Sequence, residues 1–212
     1  MAKIILGIHG GVSINQHDPS AALIIDGEVV ACVEEERLYR IKSPRGLLPI
    51  LSIKSCLKEA GISIKDVDVI VHPGETYEDA PKRIHSYLVH YFGFCPKIKM
   101  INHQLAHLSS AFFHSGFSEA MCLSYDAFGD RLSAAFGMGK NGIEIDESRD
   151  SLNSLGLFYA TMTSFLGYLP AEDEFKVMGL AALGKEEFDL SDFASPVENG
   201  YQVNSNFLRS DP

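Results

Sequence analysis

The apolar runs of this chain come in two rounds of the same order, three strand-like segments and then helix-like ones. Few folds accommodate that order. The first run, "KIILGIHG", is rich in β-branched residues and is closed by glycines. Next, "SAALIIDGEVVACVEEE" holds two apolar runs joined by Asp26-Gly27. That dipeptide is a strong hairpin signal, because a two-residue turn of this kind needs positive φ at both central positions. "LLPILSIKSCLKEAG" then has helical spacing at Leu48, Leu51, Ile53 and Leu57 and stops at Gly61. "DVDVIVHPG" predicts a fourth strand, "DAPKRIHSYLVHYFG" a helix with Asp79 and Pro81 near its start, and "KIKMIN" another strand. A helix carrying His103 and His107 follows. The second round runs through "EAMCLSYDAFGD", "RLSAAFGMGKNG" and "IEIDES" to the long apolar helix of "SLNSLGLFYATMTSFLGYL". The repeat is one of architecture, not of residues.

An order of β-β-β-α-β-α-β-α resembles a ribonuclease H-like lobe, and two such lobes resemble the actin-like ATPase superfamily. The expected fold is therefore α/β, with one complete lobe over residues 1–115 and the start of a second over 116–190. Residues 191–212 form a polar, turn-rich tail with one short strand near Tyr201 to Val203, where the chain reads as cut short. A length of 212 residues suffices to bury a core, and 46% apolar with 22% charged residues is an ordinary globular balance. The net charge of −10 argues against a nucleic-acid partner. No secretory leader and no membrane-spanning run is evident, so the cytoplasm is the expected compartment. Cys32, Cys56, Cys95 and Cys122 have no metal-like spacing and are expected to be buried free thiols.

Four constellations stand out. His103 and His107, four apart on one helical face, have Cβ atoms about 5–6 Å apart and could reach one divalent ion. Asp126, where "AMCLSYD" meets the glycine turn "AFGD", could complete the set and leave positions open. The competing account has His103 at the helix start and His107 simply packed. His114 falls where the helix is ending and is left out. In "NQHDPSAALIIDGE", His17 and Asp18 stand in an interstrand loop, where a histidine can accept a hydroxyl proton near neutrality; an ordinary Asp-Pro turn is the alternative. Arg37, Arg40, Lys42 and Arg45 could receive an anion or form a solvated face. Glu174 and Lys176 head an apolar helix in "EDEFKVMGLAALGK", which suits a phosphate or ribose, or a core helix alone.

Three long stretches bring these constellations together: "HDPSAALIIDGEVVACVEEERLYRIK", "NHQLAHLSSAFFHSGFSEAMCLSYDAFGD" and "GLFYATMTSFLGYLPAEDEFKVMGLAALG". In order and pattern they resemble the nodulation-type O-carbamoyltransferase family. That resemblance implies an N-terminal actin-like catalytic domain, similar to the tRNA threonylcarbamoyl-transfer enzymes, and a C-terminal adenylate-forming domain. It implies that carbamoyl-adenylate is made from carbamoyl phosphate and ATP, and that the carbamoyl group passes to an acceptor hydroxyl on a sugar or natural product. By the same resemblance His103, His107 and Asp126 are metal ligands, with iron the usual metal. His17, beside Asp18, is the base, and Glu174 with Lys176 lines the nucleotide side.

The chain also departs from the pattern. The loop "GIHGGVSINQHD" is long, alanine follows Asp126 where glycine is common, and Asn102-His103 replaces a double histidine. A further aspartate ligand, a Gly-Gly nucleotide loop and the adenylate-forming domain are expected beyond residue 212. The alternative is a shortened, non-catalytic lobe that binds a partner or forms a homodimer.

Overall fold

The structure, a computed structural model, describes residues 2–13, 16–198, 200–204 and 206. The chain divides into two compact units, residues 1–102 and 103–212.

In the first unit, strands β1 (Ile4–His9), β2 (Ser20–Ile25) and β3 (Glu28–Glu34) form an antiparallel meander. Asp26 and Gly27 make its second turn with φ of 50° and 91°, as that dipeptide predicts. A five-residue helix that the sequence did not announce, α1 (Glu35–Tyr39), leads to α2 (Ile50–Ala60). Helix α2 buries Ile50, Ile53, Cys56 and Leu57 and ends at Gly61, whose φ of 65° is the left-handed cap expected there. Strand β4 (Val69–Pro73), helix α3 (Ala80–Phe92) and strand β5 (Lys97–Ile101) complete the unit. The sheet order is β3-β2-β1-β4-β5, with β4 parallel to β1 and β5 parallel to β4. Leu6, Leu23, Ile53, Ile70, Ile84 and Leu88 are fully buried at its centre.

The second unit opens with α4 (His103–Ser115), the helix that ends the first lobe in the sequence-based order. It packs on β6 (Ala120–Gly129) and β7 (Leu132–Gly139), and β8 (Ile143–Asp150) completes an antiparallel sheet of order β6-β7-β8. Gln104, Leu108 and Phe112 recur every four residues and form the buried stripe of α4. Helices α5 (Leu155–Phe165) and α6 (Glu174–Ala181) follow. A two-stranded sheet, β9 (Ala194–Val197) with β10 (Gly200–Val203), contains the short strand expected near Tyr201. The expected truncation point at the chain end falls on residues 207–212, outside the described residues. Among the described residues no helix is long and apolar enough to cross a membrane.

One expectation needs correction. Of the four cysteines, only Cys56 and Cys122 are buried; Cys32 is exposed and Cys95 half-buried. Cys32 lies on the edge strand β3, most of whose residues face solvent. The acidic run Glu34 to Glu36, just before the four cations, is not uniformly exposed. Glu35 is fully buried, and its carboxylate accepts from the N–H groups of Leu51 and Ser52 at 2.9 and 2.7 Å and from the Ser52 hydroxyl. It caps the start of α2, where Pro49 offers no side chain able to do so.

Candidate metal centre

His103 and His107 lie on α4 one position before its buried stripe, so the core-facing residues Gln104 and Leu108 set the direction in which the imidazoles project. Asp126 comes from β6, but not from its tip. The strand continues to Gly129, and its pairing with β7 slips between Tyr125 and Gly129, leaving Asp126 in a bulge. Cys122 and Ser124 alternate onto the face of β6 that meets α4. Asp126, two residues further on, shares that face and turns its carboxylate to both histidines.

The geometry is tight. His103 Nε2 lies 2.7 Å from Asp126 Oδ2, His107 Nε2 lies 3.0 Å from His103 Nε2, and His107 Nε2 lies 3.5 Å from the same Asp126 oxygen. One donor atom from each of the three residues falls within 4.8 Å of the others. Burial pushes the Asp126 carboxyl up. The histidine hydrogen bonds, the charge on His103 and the Ala127 N–H outweigh that burial and hold it well below the usual carboxylate range.

Neighbouring groups hold these three in place. Asp126 Oδ1 accepts from Ala127 N at 2.7 Å. The Asp130 carboxylate, 5% exposed, accepts from His103 N at 2.7 Å and so caps the start of α4. Buried Gln104 accepts from the Ser124 hydroxyl at 2.6 Å, tying the first turn of α4 to β6. Gly129 leaves room for the His103 ring, since a Cβ there would lie 2.2 Å from it. On the other side of the bulge, the Ser154 hydroxyl donates to the Ala127 carbonyl at 2.6 Å and accepts from Leu157 N, capping α5. Gly156 lets that helix approach, for a Cβ there would lie 2.7 Å from the Asp126 carbonyl oxygen. An open depression of about 550 Å³ beside Asp126 is lined by Tyr125, Leu155, Phe158 and Tyr159.

The other candidates have surroundings of their own. His17 Nδ1 is 2.6 Å from Asp18 Oδ2, and both side chains are half-exposed in the first unit. Asp18 has a φ of 54°. Lys176 Nζ pairs with Asp173 Oδ1 at 2.7 Å, and Glu174 Oε1 accepts from Ala171 N at 2.7 Å, so both heads of α6 have local partners. Arg37, Arg40, Lys42 and Arg45 are exposed, with Arg37 3.1 Å from Glu34. Sequence reasoning missed Asp130, Gly129 and Ser154. The pair Asp130-Arg131, sitting as a two-residue turn between two strands, was the available signal for the first.

The chain matches the family described as carbamoyltransferase N-terminus over residues 8–92 and 74–211. It is 35% identical over 214 residues to the nodulation protein NolNO of Sinorhizobium fredii, covering 84% of this chain and 31% of that protein. An uncharacterized protein of Methanocaldococcus jannaschii is 33% identical over 196 residues, covering 89% of this chain and 35% of that one. The chain thus spans about a third of the length of the curated relatives it matches. A solved structure, the activator of the 2-hydroxyisocaproyl-CoA dehydratase from Clostridium difficile with bound ADPNP, is similar in fold. It is 13% identical, with a TM-score of 0.52, covering 99% of this chain and 63% of that one. The fold is of the actin-like ATPase type.

Proposed function

This chain belongs to the carbamoyltransferase N-terminus family, and from that premise we propose that it is the transferring part of an ATP-dependent O-carbamoyltransferase. It would move a carbamoyl group from carbamoyl-adenylate to an acceptor hydroxyl. The observation that carries the reading is the convergence of His103, His107 and Asp126. Two imidazole nitrogens bound at about 2.0–2.1 Å to one ion lie about 2.9–3.4 Å apart, and these two lie 3.0 Å apart. Two histidines with one carboxylate suit a non-haem ferrous ion with open positions, which agrees with iron as the metal of the resembling enzymes. Once bound, such an ion supplies positive charge to a carbonyl or phosphoryl oxygen of the donor.

The residues of the chain would do the rest. Asp126 has its carboxylate already ionised for ligation, and its Oδ1 is committed to Ala127 N, which orients Oδ2. His17 would act as base. With Nδ1 donating to Asp18, its Nε2 lone pair is available to take the hydroxyl proton as the acceptor oxygen attacks the carbamoyl carbon. The bond from that carbon to the phosphate oxygen then breaks, releasing AMP, while the proton stays on His17. Lys176 and Glu174 would face the nucleotide, Lys176 exchanging its Asp173 partner for phosphate. The acceptor is a sugar or natural product, and the adenylate comes from a C-terminal domain or separate subunit. The four free thiols fit a cytoplasmic setting.

A second reading, a non-catalytic lobe that docks a partner or a second copy, is favoured by the exposed Phe165, Leu183 and Phe188 of the second unit, each more than 80% exposed. Supplying preformed carbamoyl-adenylate and a hydroxyl acceptor to the ferrous-loaded chain separates the two. Carbamoyl ester formation that His17→Ala abolishes without loss of bound metal supports the transferase. Metal-independent self-association with no transfer supports the docking lobe.

A further inference from the structure

We propose that Asp130 is a positioning residue for the metal centre, holding the first turn of α4 so that the His103 imidazole meets Asp126. The inference rests on the metal reading above. Two independent features support it. First, the Asp130 carboxylate, 5% exposed, accepts from His103 N at 2.7 Å. That N–H is one of the orphan donors of a helix start, and it belongs to the ligand residue itself. A ligand at the first position of a helix otherwise sits where helices fray, so an external cap there fixes the backbone from which the imidazole projects.

Second, the turn that presents Asp130 is built against local preference. Gly129 pairs with Leu132, so Asp130 and Arg131 are the two central residues of a tight hairpin, with φ of 53° and 65°. Positions of this kind favour Asn-Gly, because side-chain-bearing residues other than Asn and Asp are strained there. The Asp26-Gly27 turn of the first unit follows that preference, whereas Asp130-Arg131 departs from it at the second position. An aspartate at the first position suits the turn by its backbone alone, as Asp26 does, but the turn by itself does not require that its carboxylate be buried. The buried carboxylate gains the cap on His103. The cap reaches from the end of the same bulged strand that delivers Asp126, so one segment of five residues sets both the carboxylate ligand and the backbone of the histidine ligand.

Three variants of the purified chain separate positioning from turn formation, with cobalt(II) titration followed by visible absorption, zinc competition, and thermal melting without metal. Asp130→Gly suits the turn but removes the cap. It should stay folded while melting below the wild type, as loss of a helix cap requires, and bind cobalt about 10–100-fold more weakly, the usual cost of losing a group that orients a ligand. Asp130→Asn keeps an acceptor oxygen and tolerates positive φ, and should restore affinity to within a few-fold. Arg131→Gly relieves the turn without touching the cap and should leave affinity unchanged. Wild-type affinity in Asp130→Gly, or a loss that Asp130→Asn fails to restore, would overturn the proposal. A wild-type chain that takes up no cobalt would overturn the metal reading itself. Hydrogen-exchange protection of the His103 amide, measured without metal, separates the two failures: protection lost in Asp130→Gly and kept in Asp130→Asn shows that the cap stands.

Discussion

The Nε2 atoms of His103 and His107 lie 3.0 Å apart and both face one oxygen of Asp126. A spacing of four on a helix brings two side chains to one face, but it does not make them converge on a single point. Convergence here depends on the α4-facing side of β6 that carries Asp126, on the small volume of Gly129 and on the cap at the start of α4. Each of these can be perturbed separately.

The two histidines should not be equivalent. The His103 side chain is 20% exposed and held against Gly129 and Asp126, whereas that of His107 is 50% exposed. His103→Ala should lower metal affinity by more than about 100-fold, while His107→Ala leaves weaker but measurable binding. Calorimetric titration with zinc on both variants checks the order; equal losses would argue against unequal anchoring.

Gly129→Ala is expected to displace the His103 ring. Its new Cβ would overlap that imidazole at 2.2 Å, so either the ring or the backbone must move. Overpacking of this kind costs about 1–3 kcal/mol. Urea unfolding should show that loss, with metal affinity falling alongside it. An unchanged affinity would mean that His103 has room to move without leaving the centre.

Glu35 should matter to the first unit far more than its acidic neighbours. Its buried carboxylate accepts two backbone N–H groups and the Ser52 hydroxyl, at a helix start with no other side-chain cap. Glu35→Ala should destabilise by about 3 kcal/mol, against less than about 0.5 kcal/mol for the exposed Glu34→Ala. Denaturant midpoints for the two variants give the comparison.

Alkaline pH should weaken the first unit through Cys56. Burial, and secondarily Cys32, pushes its thiol up to about 11 from an ordinary 9.0. Between those values the folded state retains a proton that the unfolded chain has released, so stability falls as pH rises across that window. Cys56→Ala should flatten this part of the stability curve. Iodoacetamide at pH 8 should label exposed Cys32 and spare Cys56.

The architecture was legible in the sequence where local chemistry and tertiary need agree. Asp26-Gly27 forms its hairpin, Gly61 ends α2 and Gly93 ends α3, because each residue suits the backbone that the fold requires there. The histidine pair was legible for the same reason, being a property of one helix. What was hidden depends on long-range pairing. The pattern of β6 predicts a strand ending at Asp126, yet the strand runs on to Gly129 through a bulge that only the register with β7 defines. Glu35 looked like one member of a charged run because nothing near it in sequence announces that α2 needs its cap. Asp130 was hidden likewise, since its partner His103 lies 27 residues earlier.

The most direct test is metal content. The purified chain, stripped with chelator and reloaded with ferrous iron or zinc, should hold one ion per chain, with X-ray absorption showing two imidazoles in its coordination shell. Asp126→Ala should lose that ion while keeping its fold by circular dichroism. A stripped chain that takes up no ion, or an Asp126→Ala variant that binds as tightly as the wild type, would contradict a metal centre at His103, His107 and Asp126.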